Sequence, residues 1–125
     1  MMVGRKYDLE KRLIDFSLLV ISVSETMMKN QAGLYLSNQI IRSGMAPALN
    51  YGEAQSAESA SDFVHKMKIG LKELRETYVA LQIIKAKPLT KNSEILERCI
   101  SECNEIIAIF VKSIQTAEKN RKVRN

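Results

Sequence analysis

The sequence predicts an all-α protein, an antiparallel up-down-up-down four-helix bundle, and three observations carry that prediction. Apolar residues recur at steps of three and four through most of the chain, with no strand-like alternation to compete. The breaks between the periodic segments are short and hold residues that start or stop helices. Of the 125 residues, 46% are apolar and 26% charged, which suits one packed domain over 1–125 and leaves no room for two.

The first segment sets Leu9, Leu13, Phe16, Val20, Val23 and Met27 on one seam and predicts a helix over about 7–29. Asn30-Gln31-Ala32-Gly33 reads as its stop, because asparagine and glycine both tolerate left-handed backbone. A second helix, about 33–55, carries the weaker pattern Leu34, Ile41, Met45, Ala48 and Leu49, with more small residues. Pro47 falls inside it between Gly44 and Gly52, where a missing N–H and a clash with the preceding turn cost roughly 3 kcal/mol. One kinked helix is the expectation there.

Ser59-Ala60-Ser61-Asp62 offers side-chain oxygens to cap a third helix, about 61–86. Its seam is Phe63, Met67, Gly70, Leu74, Thr77, Leu81 and Ile84. Lys87-Pro88 ends it, since the residue before proline is pushed out of the α region. Thr90, Asn92 and Ser93, with Glu94 in the first turn, open a fourth helix over about 93–119. Ile95, Cys99, Cys103, Ile106, Phe110, Ser113 and Ala117 form its seam, and a basic tail follows at 119–125.

Two helices hold more apolar surface than one seam needs. The first adds Ile14, Leu18, Ile21 and Met28, with Leu19 between the stripes; the fourth adds Leu96, Ile100, Ile107, Val111 and Ile114. Either a thick core buries these flanks, or they form a subunit interface, because large apolar patches rarely stay solvated. Self-association is the preferred expectation.

The net charge of +5 comes from 19 basic and 14 acidic residues, and all of the excess sits at the ends of the chain. Residues 1–12 hold Arg5, Lys6, Lys11 and Arg12 against Asp8 and Glu10. Residues 112–125 hold Lys112, Lys119, Arg121, Lys122 and Arg124 against Glu118. An even number of antiparallel helices would gather both termini into one cationic pole. Such a pole suits RNA or DNA phosphates, whose binding is dominated by Lys/Arg neutralisation. The plainer alternative is a solvated tail that aids solubility. Aromatic residues are 6% with no Trp, so base stacking has little to work with.

The single His and two Cys exclude a conventional structural zinc site, a disulfide scaffold and a ferritin-type di-iron centre. Asp62 and His65 share a helix face but lack a matching half, and Cys99 and Cys103 read as small core residues. No Gly-rich phosphate loop, Ser/His/Asp set or perturbed acid pair can be assembled, so no catalytic residue, metal or cofactor is assigned and enzyme activity is not expected. The longest apolar run, Ile106 to Val111, is far short of a membrane span, and no secretory h-region follows the basic start. The default compartment is the cytoplasm.

The stretch from Gln39 to Gln55 combines small residues with Arg42, Asn50 and Glu53, and Glu73 follows in the third helix. These four read either as a structural polar network fixing the register of helices two and three, or as the lining of a pocket. Gln39 to Ser43, Asn50-Tyr51-Gly52-Glu53-Ala54, Ser61-Asp62-Phe63 and Lys66 to Leu74 resemble the 23S rRNA intervening-sequence proteins and the related accessory proteins of diversity-generating retroelements. The resemblance covers nearly the whole chain. It implies four antiparallel helices assembled as a homopentameric, barrel-like ring, with a basic surface suited to nucleic acid. In the retroelement branch it implies binding to a reverse transcriptase. It also implies that Arg42, Asn50, Glu53 and Glu73 are structural, while Pro47 stands where relatives carry other small residues.

Three functions follow for testing. The first is an oligomeric nucleic-acid-binding accessory protein working through the cationic pole. The second is a protein-interaction scaffold with no direct nucleic-acid role. The third, an enzyme built on Arg42, Asn50, Glu53 and Glu73, requires those side chains to line a pocket.

Overall fold

A computed structural model describes residues 8–124, with side chains through Arg121. Four helices make up nearly all of it: α1 (Leu9–Glu25), α2 (Gln31–Gln55), α3 (Ala60–Ala86) and α4 (Ser93–Arg124). Among the described residues there is no strand, only an isolated bridge between Met27 and Thr90.

Each helix opens on a side-chain oxygen that accepts an otherwise orphaned backbone N–H. Asp8 caps α1 through Lys11 N at 3.0 Å, and Asn30 caps α2 through Gly33 N at 2.8 Å. Ser59 caps α3 through Asp62 N at 3.0 Å, and Asn92 caps α4 through Ile95 N at 3.1 Å.

Two boundaries differ from expectation. α1 stops at Glu25 rather than 29, because the Thr26 carbonyl and the Met28 N–H turn away to bond the connection between α3 and α4. Asn30 therefore begins the second helix instead of ending the first. Gly33 is needed there for close approach: a Cβ on it would run into the Met28 carbonyl oxygen. At the other end, α4 is helical to Arg124, so the segment expected as a tail from residue 119 continues the helix. α2 is one helix with Pro47 buried in its interior, where packing on α1 and α3 offsets the local cost.

The neighbouring pairs are α1–α2, α2–α3, α3–α4 and α1–α4. Contacts run in opposed numerical order along each of them. On α2 and α3, Arg42 meets Glu76 while Glu53 meets Lys66; on α3 and α4, Lys68 meets Glu118 while Lys85 meets Glu97. On α1 and α4, Arg12 meets Glu105, while Lys91, just before α4, bonds Thr26 just after α1.

The expected seams of α1, α3 and α4 face the centre, but that of α2 does not. Leu34 and Leu49 are exposed, and Leu36, Ile40, Ser43, Gly44 and Pro47 are buried in their place, a face of mostly small residues that hydrophobicity alone does not mark. Leu13, Phe16 and Val20 of α1, Met67, Leu74 and Leu81 of α3, and Ile106 and Phe110 of α4 are all buried; each such side chain contributes about 1.5–3 kcal/mol. The second apolar stripes divide. On α4, Leu96, Ile100 and Ile114 are buried in this chain's own core, while Ile107 and Val111 of the same stripe are half-buried. On α1, Ile14 and Leu18 remain exposed. Glycine allows close crossings at Gly44, against Val20, and at Gly70, against the Phe110 ring.

One buried polar pair ties α2 to α3. The Thr77 hydroxyl lies 2.7 Å from Ser43 Oγ, whose own proton goes to the Gln39 carbonyl at 2.9 Å. Cys99 and Cys103 are buried and unbridged, and desolvation pushes both thiols up to about 12. Native protein at pH 8 should therefore resist iodoacetamide, with labelling appearing only as the chain unfolds in denaturant. Fast labelling of the folded protein would contradict this burial.

Candidate nucleic-acid interface

Nine basic residues are the expected phosphate contacts, and they separate by what they already touch. Arg5 and Lys6 lie outside the described residues. Lys11 is exposed and pairs with Asp15 one turn along α1, at 3.0 Å. Arg12 is half-buried. Its Nε donates to Glu102 at 2.7 Å, and its Nη2 donates to Glu102 at 2.9 Å and to Glu105 at 2.8 Å. This bidentate clamp joins α1 to α4, so the Arg12 charge is taken up by carboxylates rather than held out to phosphate.

The α4 residues are more open. Lys112 and Lys119 are exposed and have no carboxylate partner among the described residues. They are seven positions apart, so they share one helix face at a separation of about 10 Å. Arg121 is half-buried, 3.7 Å from Glu118, which also meets Lys68 at 3.6 Å. Lys122 and Arg124 occupy the end of the helix, with side chains outside the described residues.

The polar stretch resolves into two ion-pair groups instead of one network. Arg42 reaches from α2 to Glu73 at 3.2 Å and Glu76 at 2.9 Å on α3, while Lys66 of α3 meets Glu53 of α2 at 2.9 Å. Arg42 is held further toward its charged form, first by the Glu76 hydrogen bond and then by the Glu73 charge; Glu53 does the same for Lys66. Asn50 packs beside Gly70: its Cβ lies 3.5 Å from where a glycine-70 Cβ would stand. All of these span α2 and α3, and the exposed pairs are worth little individually.

Some surface was hidden from the segment charges. Lys72 and Arg75 are exposed on α3 with no partner among the described residues. They rim an open groove of about 730 Å3 between α2 and α3, with Leu36, Leu71, Val79 and Ile83 among its lining. The spacing Lys72, Arg75, Val79, Ile83 is a single helical stripe and is legible once α3 is placed. At the end of the bundle where Met28 N bonds the Leu89 carbonyl at 2.8 Å, the two connections that carry Lys29, Lys87 and Lys91 meet.

Among the described residues no group of three or more His, Cys, Asp or Glu could hold a metal ion, and no helix is long and apolar enough to cross a membrane.

The family model described as 23S rRNA-intervening sequence protein matches residues 5–112. The chain belongs to this family. A crystal structure of a protein with unknown function from the S23 ribosomal protein family of Bacteroides thetaiotaomicron is similar to it at 28% identity and a TM-score of 0.75. That likeness covers 86% of this chain and 98% of the other. No curated protein matches. For this intervening-sequence family member the match stops at Lys112, so Lys119, Arg121, Lys122 and Arg124 lie beyond the span the family describes.

Proposed function

We propose that this chain is a non-enzymatic accessory protein of the cytoplasm that self-associates and binds nucleic acid. In this reading the opposed pairings make an antiparallel up-down-up-down bundle, copies of it assemble as the homopentameric ring implied by the resemblance, and the α4 end supplies a basic pole. The observation that carries the reading is the continuation of α4 as a helix to Arg124. A helix displays Lys112 and Lys119 along one face and carries Arg121, Lys122 and Arg124 close beyond them within its last turn and a half. A loose tail would spread all five over a longer reach. The family description supports RNA as the nucleic acid. Contacts of this kind read phosphate and shape, not sequence.

The test is fluorescence anisotropy of a labelled structured RNA, with duplex DNA alongside, at about 50 and 200 mM salt. Replacing Lys119, Arg121, Lys122 and Arg124 by glutamine should weaken RNA binding and flatten the log–log salt slope by about 3, the share of four lost phosphate contacts. Unchanged affinity and slope would overturn this function for the α4 end. The α2–α3 groove favours a second reading, a scaffold for a protein such as a reverse transcriptase. That reading predicts a pull-down that survives nuclease.

A further inference from the structure

From Ile106 to the end of the chain the sequence holds five basic residues and a single acid, Glu118. A lone carboxylate in this stretch lowers the very charge that phosphate would read.

Its surroundings show what it holds. Glu118 Oε2 lies 3.6 Å from Lys68 Nζ, which reaches across from α3, and 3.7 Å from Arg121 Nη2, one turn along α4. Both cations address the same oxygen, so they bracket one anionic position between two helices. Ion pairs elsewhere on the bundle close further. Arg12 meets Glu102 at 2.7 Å, Lys66 meets Glu53 and Arg42 meets Glu76 at 2.9 Å, and Lys85 meets Glu97 at 3.0 Å. The two pairs on Glu118 stay beyond hydrogen-bond distance. One carboxylate shared by two cations at that range leaves a net positive charge and two donors with no hydrogen bond to it.

A phosphodiester suits this position better than the carboxylate does. It presents oxygens in several directions, and can accept from an ammonium and a guanidinium at once at about 2.7–2.9 Å. Its capture also releases counterions condensed on the nucleic acid, a gain that an intramolecular carboxylate does not offer. The pairs that must open are surface pairs, which are worth little each.

We infer that Lys68 of α3 and Arg121 of α4 form a phosphate notch, in which the Glu118 carboxylate holds the place of a phosphodiester until nucleic acid displaces it. The inference rests on the nucleic-acid reading and extends its surface from α4 onto α3. Lys72 continues the same line: it is exposed one turn along α3 from Lys68, with no carboxylate partner among the described residues. Glu118 is a built-in competitor that sets how strongly the α4 end holds phosphate.

Anisotropy of a labelled structured RNA at about 50 and 200 mM salt tests this on the full chain, with duplex DNA alongside to separate the two sources of phosphodiester. Lys68→Gln should weaken binding and lower the log–log salt slope by about 1, the share of one phosphate contact. Glu118→Gln should tighten binding about threefold, since the surface pairs no longer have to be broken. With Lys68→Gln and Arg121→Gln already in place that gain should vanish, because neither cation remains for the carboxylate to hold. Glu58→Gln makes the same charge change in the connection that leads into α3, and it should move affinity much less.

Unchanged affinity and slope for Lys68→Gln would overturn the notch while leaving the α4 end standing as a phosphate surface. So would a Glu118→Gln gain that persists without the two cations, or one that Glu58→Gln matches, since either result describes a diffuse field with no displaced carboxylate. A wild type that binds neither polymer would remove the nucleic-acid reading itself, and the notch with it. Circular dichroism of each variant checks that the helices persist, as the loss of surface pairs predicts.

Discussion

Truncating Phe110 to alanine should remove about 3–5 kcal/mol of stability, a large part of what a domain of this size possesses. The ring is fully buried on α4, and its Cε2 edge lies 2.8 Å from where a Cβ on Gly70 would stand. Glycine at position 70 is what lets α3 accept the ring at that depth. Alanine there must push the aromatic edge aside, at a cost of about 1–3 kcal/mol. The two positions should therefore be coupled. Gly70→Ala combined with Phe110→Leu should lose less than the two single changes added together, because leucine leaves the contested space open. Urea denaturation of the four proteins measures this. Additive losses, or a Phe110→Ala loss under 1 kcal/mol, would show that the ring is not seated as described.

Gly44 offers a prediction in which the sign turns on a neighbour. A Cβ there would meet all three outer carbons of Val20, two of them at 2.8 and 2.9 Å. Val20 is fully buried and β-branched, so it has no alternative rotamer into which to retreat. Gly44→Ala should cost about 1–3 kcal/mol from overpacking, even though alanine favours a helix over glycine by about 1 kcal/mol. In a Val20→Ala background the clash disappears and the helix preference remains, so the same substitution should become stabilising. Gly52 is the internal control. Nothing lies within 4 Å of a Cβ placed there, and Gly52→Ala should stabilise α2 outright. Thermal unfolding of these variants decides the matter, and destabilisation by Gly44→Ala in both backgrounds would refute the contact.

The three-and-four spacing on α1, α3 and α4 was readable because it is a direct imprint of burial. Leu13, Phe16, Leu74, Leu81, Ile106 and Phe110 all face inward. The same rule overcounts at Met27, which keeps the spacing and is buried but sits in a connection after α1 has ended. Periodicity reports which residues are covered, not where helical hydrogen bonding stops. The second stripes show a different limit. α1 and α4 look alike in sequence, yet Ile100 and Ile114 are enclosed by neighbouring helices while Ile14 and Leu18 are not. Only the placement of neighbours separates a thick core from a free face.

Charge was legible as a sum and illegible as a pairing. Arg12 is 90 positions from Glu102, so no local rule could have removed it from the candidate phosphate contacts. Lys72 and Arg75 lay in a long segment whose charges nearly cancel, and they become visible only when α3 carries them to the edge of a groove.

The fastening of α1 has a mechanical consequence. It is the shortest of the helices, at 17 residues against 32 for α4. Near its start the Arg12 guanidinium grips Glu102 and Glu105; just past its end the Met28 and Lys91 amides bond across to Leu89 and Thr26. A strut pinned at two points along its length can neither slide nor swivel. Sliding by one residue would break the backbone bonds, and rotation would pull the guanidinium out of its fork. Ile14 and Leu18 lie between the pins, so they are presented at one height and one azimuth, a fixed key cut into an otherwise plain rod.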